Sequence, residues 1–89
     1  MARFMAIHNV PGLTEEQFKS KLAGVAKWRR DRRTTILKVY ADLDSGKIVS
    51  ECEAAEQQHF EDWINMVGWE AESIHSVDLV CQVGNFWNF

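Results

Sequence analysis

Cysteine, proline and tyrosine are scarce: the 89 residues hold two, one and one of them. Cys52 and Cys81 make no CxxC pair and no zinc-ligand spacing, and read as reduced thiols packed like small hydrophobes. One proline and five glycines exclude a collagen-like chain, and a hydrophobic fraction of 46% excludes wholesale disorder. An excess of basic charge is also missing. Ten Lys and Arg stand against thirteen Asp and Glu, a net charge of −3, whereas a nucleic-acid-binding domain presents a basic face. No apolar run approaches the roughly 18 residues of a membrane span. The opening Met1-Ala2-Arg3-Phe4-Met5 enters a strand-like run without the apolar core and cleavage site of a signal peptide. A cytoplasmic protein is therefore expected. P-loop, dinucleotide fingerprint, nucleophile elbow and complete metal spacing are all absent.

What remains is one small domain over residues 1–89, ending in an aromatic tail at 85–89. A mass of 10.3 kDa corresponds to about 5,400 Å² of folded surface against about 14,900 Å² unfolded, so roughly 64% is buried. That supports one modest core and no deep, separate cleft.

The elements are set by periodicity and punctuation. Arg3 to Val10 alternate with period two, and both parity sets contain apolar residues, so this strand is expected to be central. Thr14-Glu15-Glu16-Gln17 is a capping box, opening a helix that runs to about Arg30 with Phe18, Leu22, Val25 and Ala26 as its core stripe. Thr34 to Asp42 and Lys47 to Ala54 form a hairpin whose connection ends in Gly46. Ala55 to Val67 is a second helix with Phe60, Trp63, Ile64 and Val67 inward and Gly68 at its end. Ser73 to Val83 is a fourth strand.

The order β-α-β-β-α-β is the ferredoxin-like α+β sandwich, with two helices on one face of an antiparallel sheet. By fold analogy the sheet order is 4-1-3-2. The opposite face must meet water or a partner. Phe4, Val49 and the aromatic tail are too apolar for a free face, which points to a homodimer packed sheet to sheet.

Several segments resemble a family of small bacterial proteins of unknown function. They are Phe4-Met5-Ala6-Ile7-His8, Gly12-Leu13-Thr14-Glu15-Glu16-Gln17, Tyr40, Asp44-Ser45-Gly46-Lys47-Ile48-Val49 and Glu53-Ala54. The likeness covers Phe4 to about Val80. It implies a ferredoxin-like, dimeric α+β barrel, and the family includes a nickel-binding member. This chain departs from it at Ser50, where the family often has Cys, at Ala55, where it often has Pro, and at Trp63, where it often has His. A wider set of similar barrels includes small cofactor-free or haem-dependent monooxygenases, which implies an enzyme as the alternative.

His8, Glu51 and Glu53 are the candidate metal ligands. Glu51 and Glu53 face the open side if Ile48 and Cys52 face the helices, and His8 joins them if Met5 and Ile7 are the helix-facing pair. Imidazole with carboxylate suits nickel, zinc or a similar divalent ion, and equally a proton-transfer pair. The bland counterpart is a hydrogen-bonded pair near a dimer seam. Tyr40 and Trp87 are candidate walls of a ligand pocket. His75 shares parity with Val77 and Leu79, which look helix-facing, so it is expected to be a strand-end histidine; His59 is expected at the surface. Trp28 and the arginines at 29, 30, 32 and 33 read as a solvated helix end rather than an anion patch, because the chain is acidic and Asp31 interrupts them. A Cys52–Cys81 bridge is excluded if strand one lies between strands three and four, since two strand spacings exceed the bridging limit. A purely structural or assembly role is the third functional expectation.

Overall fold

The computed structural model describes residues 2–27 and 33–89, with residues 24–27 described by backbone alone. The elements are β1 (Ala2–Asn9), α1 (Glu15–Lys27), β2 (Thr34–Asp42), β3 (Lys47–Ala54), α2 (Gln57–Val67), β4 (Ala71–Val77), β5 (Leu79–Gln82) and β6 (Asn85–Asn88). The first six build a four-stranded sheet in the order β2-β3-β1-β4, with every neighbouring pair antiparallel. This is the ferredoxin-like α+β arrangement. The expected run of the first helix beyond Lys27, its Val25 and Ala26 side chains, and the Trp28-to-Arg32 segment lie outside what is described.

Local chemistry explains the boundaries. Thr14 and Gln17 satisfy each other at the start of α1: the Gln17 amide donates to Thr14 Oγ1 and the Thr14 amide donates to Gln17 Oε1, each at 3.1 Å. Gly68 ends α2 at φ 83°, its amide donating to the Ile64 carbonyl. Gly46 closes the β2–β3 hairpin at φ 80°, packed so tightly on the chain after β1 that an added Cβ would lie 2.6 Å from the Val10 carbonyl oxygen. Asp42 Oδ1 accepts from the Asp44 amide at 3.1 Å, and its bonds with Ser45 hold its carboxyl below the usual range.

The core lies between the sheet and α2, with α1 packing beside it. Phe60, Trp63, Ile64 and Val67 are buried, as the periodicity of α2 predicts, against Phe4, Ala6, Ile48, Cys52 and Ala54 of the sheet. Phe4 stacks on Phe60 at 6.4 Å between ring centroids. Phe4 is thus a core residue and not part of the open face. Phe18 of α1 stacks on Trp69 at 5.8 Å, tying the first helix to the end of the second.

The expected fourth strand is two strands. It breaks at Asp78, and the second piece leaves the sheet to pair with the aromatic tail as a separate antiparallel hairpin, β5–β6. The turn between them is Val83-Gly84, with φ of 50° and 78°. Positive φ at both central residues matches the right-handed twist of a tight hairpin. Among the described residues no helix is long and apolar enough to cross a membrane.

Candidate functional site

The register of β1 against β3 decides which side chains share a face. Phe4 opposes Cys52, Ala6 opposes Ser50 and His8 opposes Ile48, and all six are buried on the helix-covered side. Arg3 opposes Glu53, Met5 opposes Glu51 and Ile7 opposes Val49 on the other side. Met5 and Ile7 are therefore not the helix-facing pair, and His8 does not join the glutamates. The physical reason is size. Phe4 shares parity with His8 and is the largest apolar side chain of the strand, and only the helix side can bury it.

His8 is sealed in the core at 0% exposure. Its Nε2 lies 2.8 Å from Ser50 Oγ, and its ring meets Trp69 edge-on at 5.9 Å. Burial lowers its pKa below 6.5; the Trp69 and Glu70 backbone, which favours the charged form, offsets this only in part and leaves Nδ1 without a well-formed hydrogen bond. Ser50 is equally buried, so this is an internal polar pair with no route for a substrate. Cys52 sits beside it, and burial pushes its thiol up to about 12, an unreactive group. Both cysteines are free, Cys52 buried and Cys81 exposed on the hairpin.

The open face carries different chemistry. Met5, Ile7 and Val49 form a half-buried apolar centre. On β2, Lys38 opposes Glu51 and Tyr40 opposes Val49. On β4, His75 opposes Met5, and Val77 opposes Arg3. The parity grouping of His75 with Val77 holds, but both lie on the uncovered face. One row of the sheet therefore reads Lys38, Glu51, Met5, His75. Arg3 pairs with Glu53 at 3.0 Å, and the Lys38 ammonium lies 6.0 Å from the Tyr40 ring centroid. His75, expected from its parity with Val77 to be a strand-end histidine among helix-facing neighbours, instead lies on the open face, a placement that follows once the face of β1 is fixed.

The expected ligand set does not converge. His8 is on the covered face, and Glu51 and Glu53 are on the other, Glu53 already engaged by Arg3. Among the described residues no group of three or more His, Cys, Asp or Glu side chains is placed to hold a metal ion. Those residues of the chain thus form no closed metal centre. Tyr40 is exposed on β2 and Trp87 half-exposed on β6. A cleft of about 420 Å³ lies elsewhere, between the end of α2 and β4, lined by Glu61, Ile64, Asn65, Trp69, Glu70 and Ile74 among others. Neither Tyr40 nor Trp87 lines it. His59 is half-buried rather than fully at the surface.

The whole sandwich is similar to the crystal structure of SCO4226 from Streptomyces coelicolor A3(2). The TM-score is 0.78 at 25% identity, over 90% of this chain and 100% of that one. The likeness supports the small α+β fold. No protein-family model matches the chain, and no curated protein matches it at a significant level.

Proposed function

We propose that two copies close their open sheet faces on each other as a dimeric α+β barrel, and that the enclosed face binds a small, largely apolar ligand with a polar end. One observation supports this above all. The uncovered face is apolar at its centre, at Met5, Ile7 and Val49, and bears Glu51, His75, Lys38 and Tyr40 in the flanking positions. A few polar groups around an apolar floor is the usual make-up of a small-molecule site. His8 takes no part, because Ser50 and Trp69 enclose it.

The test is ligand-induced thermal stabilisation, with haem, planar phenols and Ni²⁺ as probes, on wild type, Glu51→Gln and His75→Ala. A probe that stabilises wild type and fails on either variant supports the site. Stabilisation by Ni²⁺ alone makes the ligand a divalent cation held by Glu51 and His75 of both copies. Turnover of a bound phenol makes the protein a monooxygenase-type enzyme. Stabilisation equal in all three proteins, or by no probe, overturns the binding role and leaves assembly.

A further inference from the structure

The helix-covered side of the sheet is left partly open at its β4 edge. Among the described residues α2 packs mainly on β3, β2 and α1, and the cleft of about 420 Å³ opens between its end and β4. The register of β1 against β4 shifts there, with Ser73 opposite Ile7 but Ala71 opposite His8. Glu72 is the extra residue, and one extra residue reverses the parity of a strand. Ile74 and Ala71 therefore both turn to the helix side, where they join Ile64 and the buried Trp69 around the cleft. The helix contributes from one face, since Glu61, Ile64, Asn65 and Gly68 follow i, i+3, i+4, i+7 spacing. Glu61 is half-buried and Glu70 exposed. Among the described residues neither carboxylate is ion-paired, and no Lys, Arg or His lines the cleft. The Lys21 ammonium lies near the end of α2, 3.7 Å from where a Gly68 Cβ would stand. It offsets one of the two negative charges at most.

We propose that this cleft is a binding site for a small organic cation, a protonated amine carrying an aromatic or branched apolar body. The ammonium is drawn to Glu61 and Glu70, the Asn65 carboxamide adds a neutral hydrogen-bonding group, and the apolar body lies against Ile64, Ala71 and Ile74. The cleft has the size of a small-molecule site, and it combines apolar walls with a few polar groups of one charge. Charge decides the sign of the ligand. The donor set decides against a bare metal ion, because two carboxylates do not close a metal centre. A further observation falls on the same wall. The fully buried His8 faces the Trp69–Glu70 backbone with an Nδ1 that has no hydrogen-bond partner, an uncommon state for a buried polar atom. The wall that carries Glu70 is thus not locked from behind. The cleft lies on the opposite side of the sheet from the face of Met5, Ile7 and Val49, so it stands or falls independently of the dimer and its ligand.

The test is an NMR titration of ¹⁵N-labelled protein at low salt with two probes of like body and opposite charge, 2-phenylethylammonium and phenylacetate. Three results are expected. The ammonium gives saturable shifts centred on the Trp69 indole and the amides of Glu70, Ala71 and Ile74. Phenylacetate binds at least about tenfold more weakly to wild type. Glu61→Gln/Glu70→Gln weakens the ammonium by about tenfold or more and leaves phenylacetate unimproved or better bound. Neither glutamate is a core residue, so circular dichroism should find the variant folded. The first two results come from wild type alone and decide the matter even if the variant fails to fold. Absence of a saturable shift, equal affinity for the two probes, or a folded variant that binds the ammonium as wild type does overturns the site. Shifts centred on Met5, Ile7 and Val49 also overturn it, and place the probe on the open face.

Discussion

Acid should loosen this protein through His8. The imidazole is fully buried, and burial holds its pKa below the ordinary 6.5. The unfolded chain takes up a proton near that value while the folded protein keeps the ring neutral. The unfolded state then binds more protons, so stability is full above about pH 6.5 and falls as pH drops below it. One proton sets a ceiling of about 1.4 kcal/mol per pH unit. Small domains hold only about 5–15 kcal/mol in total, so such a slope is readily measured. The assay is urea unfolding followed by tryptophan fluorescence, at one protein concentration, from about pH 8 to pH 5.5. The control is His8→Leu/Ser50→Ala, which removes both ends of the 2.8 Å hydrogen bond. His8→Leu alone strands the Ser50 hydroxyl in the core and should cost about 1–3 kcal/mol from that group; the double variant should recover much of it. Below about pH 6.5 the wild-type curve should descend toward that of the double variant, with unchanged separation above about pH 7.5. Parallel curves across the whole range would refute a neutral, buried His8.

Other perturbations probe separate links. Cys52, with its thiol at about 12 and buried, should resist alkylation in the native protein and react on denaturation; rapid native labelling at Cys52 would contradict its place under α2. Gly46→Ala meets both a left-handed φ and the Val10 carbonyl, so it should destabilise by more than the ~1–2 kcal/mol of the dihedral alone, read as a lower urea midpoint. Thr14→Ala should cost about 1 kcal/mol by removing the cap of α1, and Thr14→Ser should cost little. Phe60→Ala empties the centre of the core and should cost about 3–5 kcal/mol; a loss under 1 kcal/mol would deny that Phe4 and Phe60 are packed together.

Element order was legible because each boundary has its own local chemistry. The Thr14–Gln17 box, the Gly46 hairpin and the Gly68 helix end behave as their sequence signals imply. The stripe of α2 was equally clear, since four large apolar residues repeat at helical spacing. The face of β1 was harder. Both parity sets are apolar, so alternation alone cannot orient a central strand. A histidine looks like a solvent-facing or functional group, yet here Ser50 on the neighbouring strand holds its Nε2 inside the core. Once Phe4 is assigned inward, His8 follows, and so does the outward placing of Glu51, Glu53 and His75. The break at Asp78 was partly visible, as aspartate is disfavoured within strands. The hairpin turn was concealed by Val83, which no turn preference selects for positive φ.

The enclosed sheet face is tested most directly by methionine oxidation. Met5 lies at the centre of that face, and Met66 is exposed on α2, 45% accessible, as an internal reference. Dilute peroxide and mass spectrometry give both sulfoxide rates across a protein dilution series. Closure by a second copy makes the Met5 rate fall as protein concentration rises, while Met66 stays constant. A constant ratio of the two rates at every concentration would mean that the face remains open to solvent and that no second copy covers it.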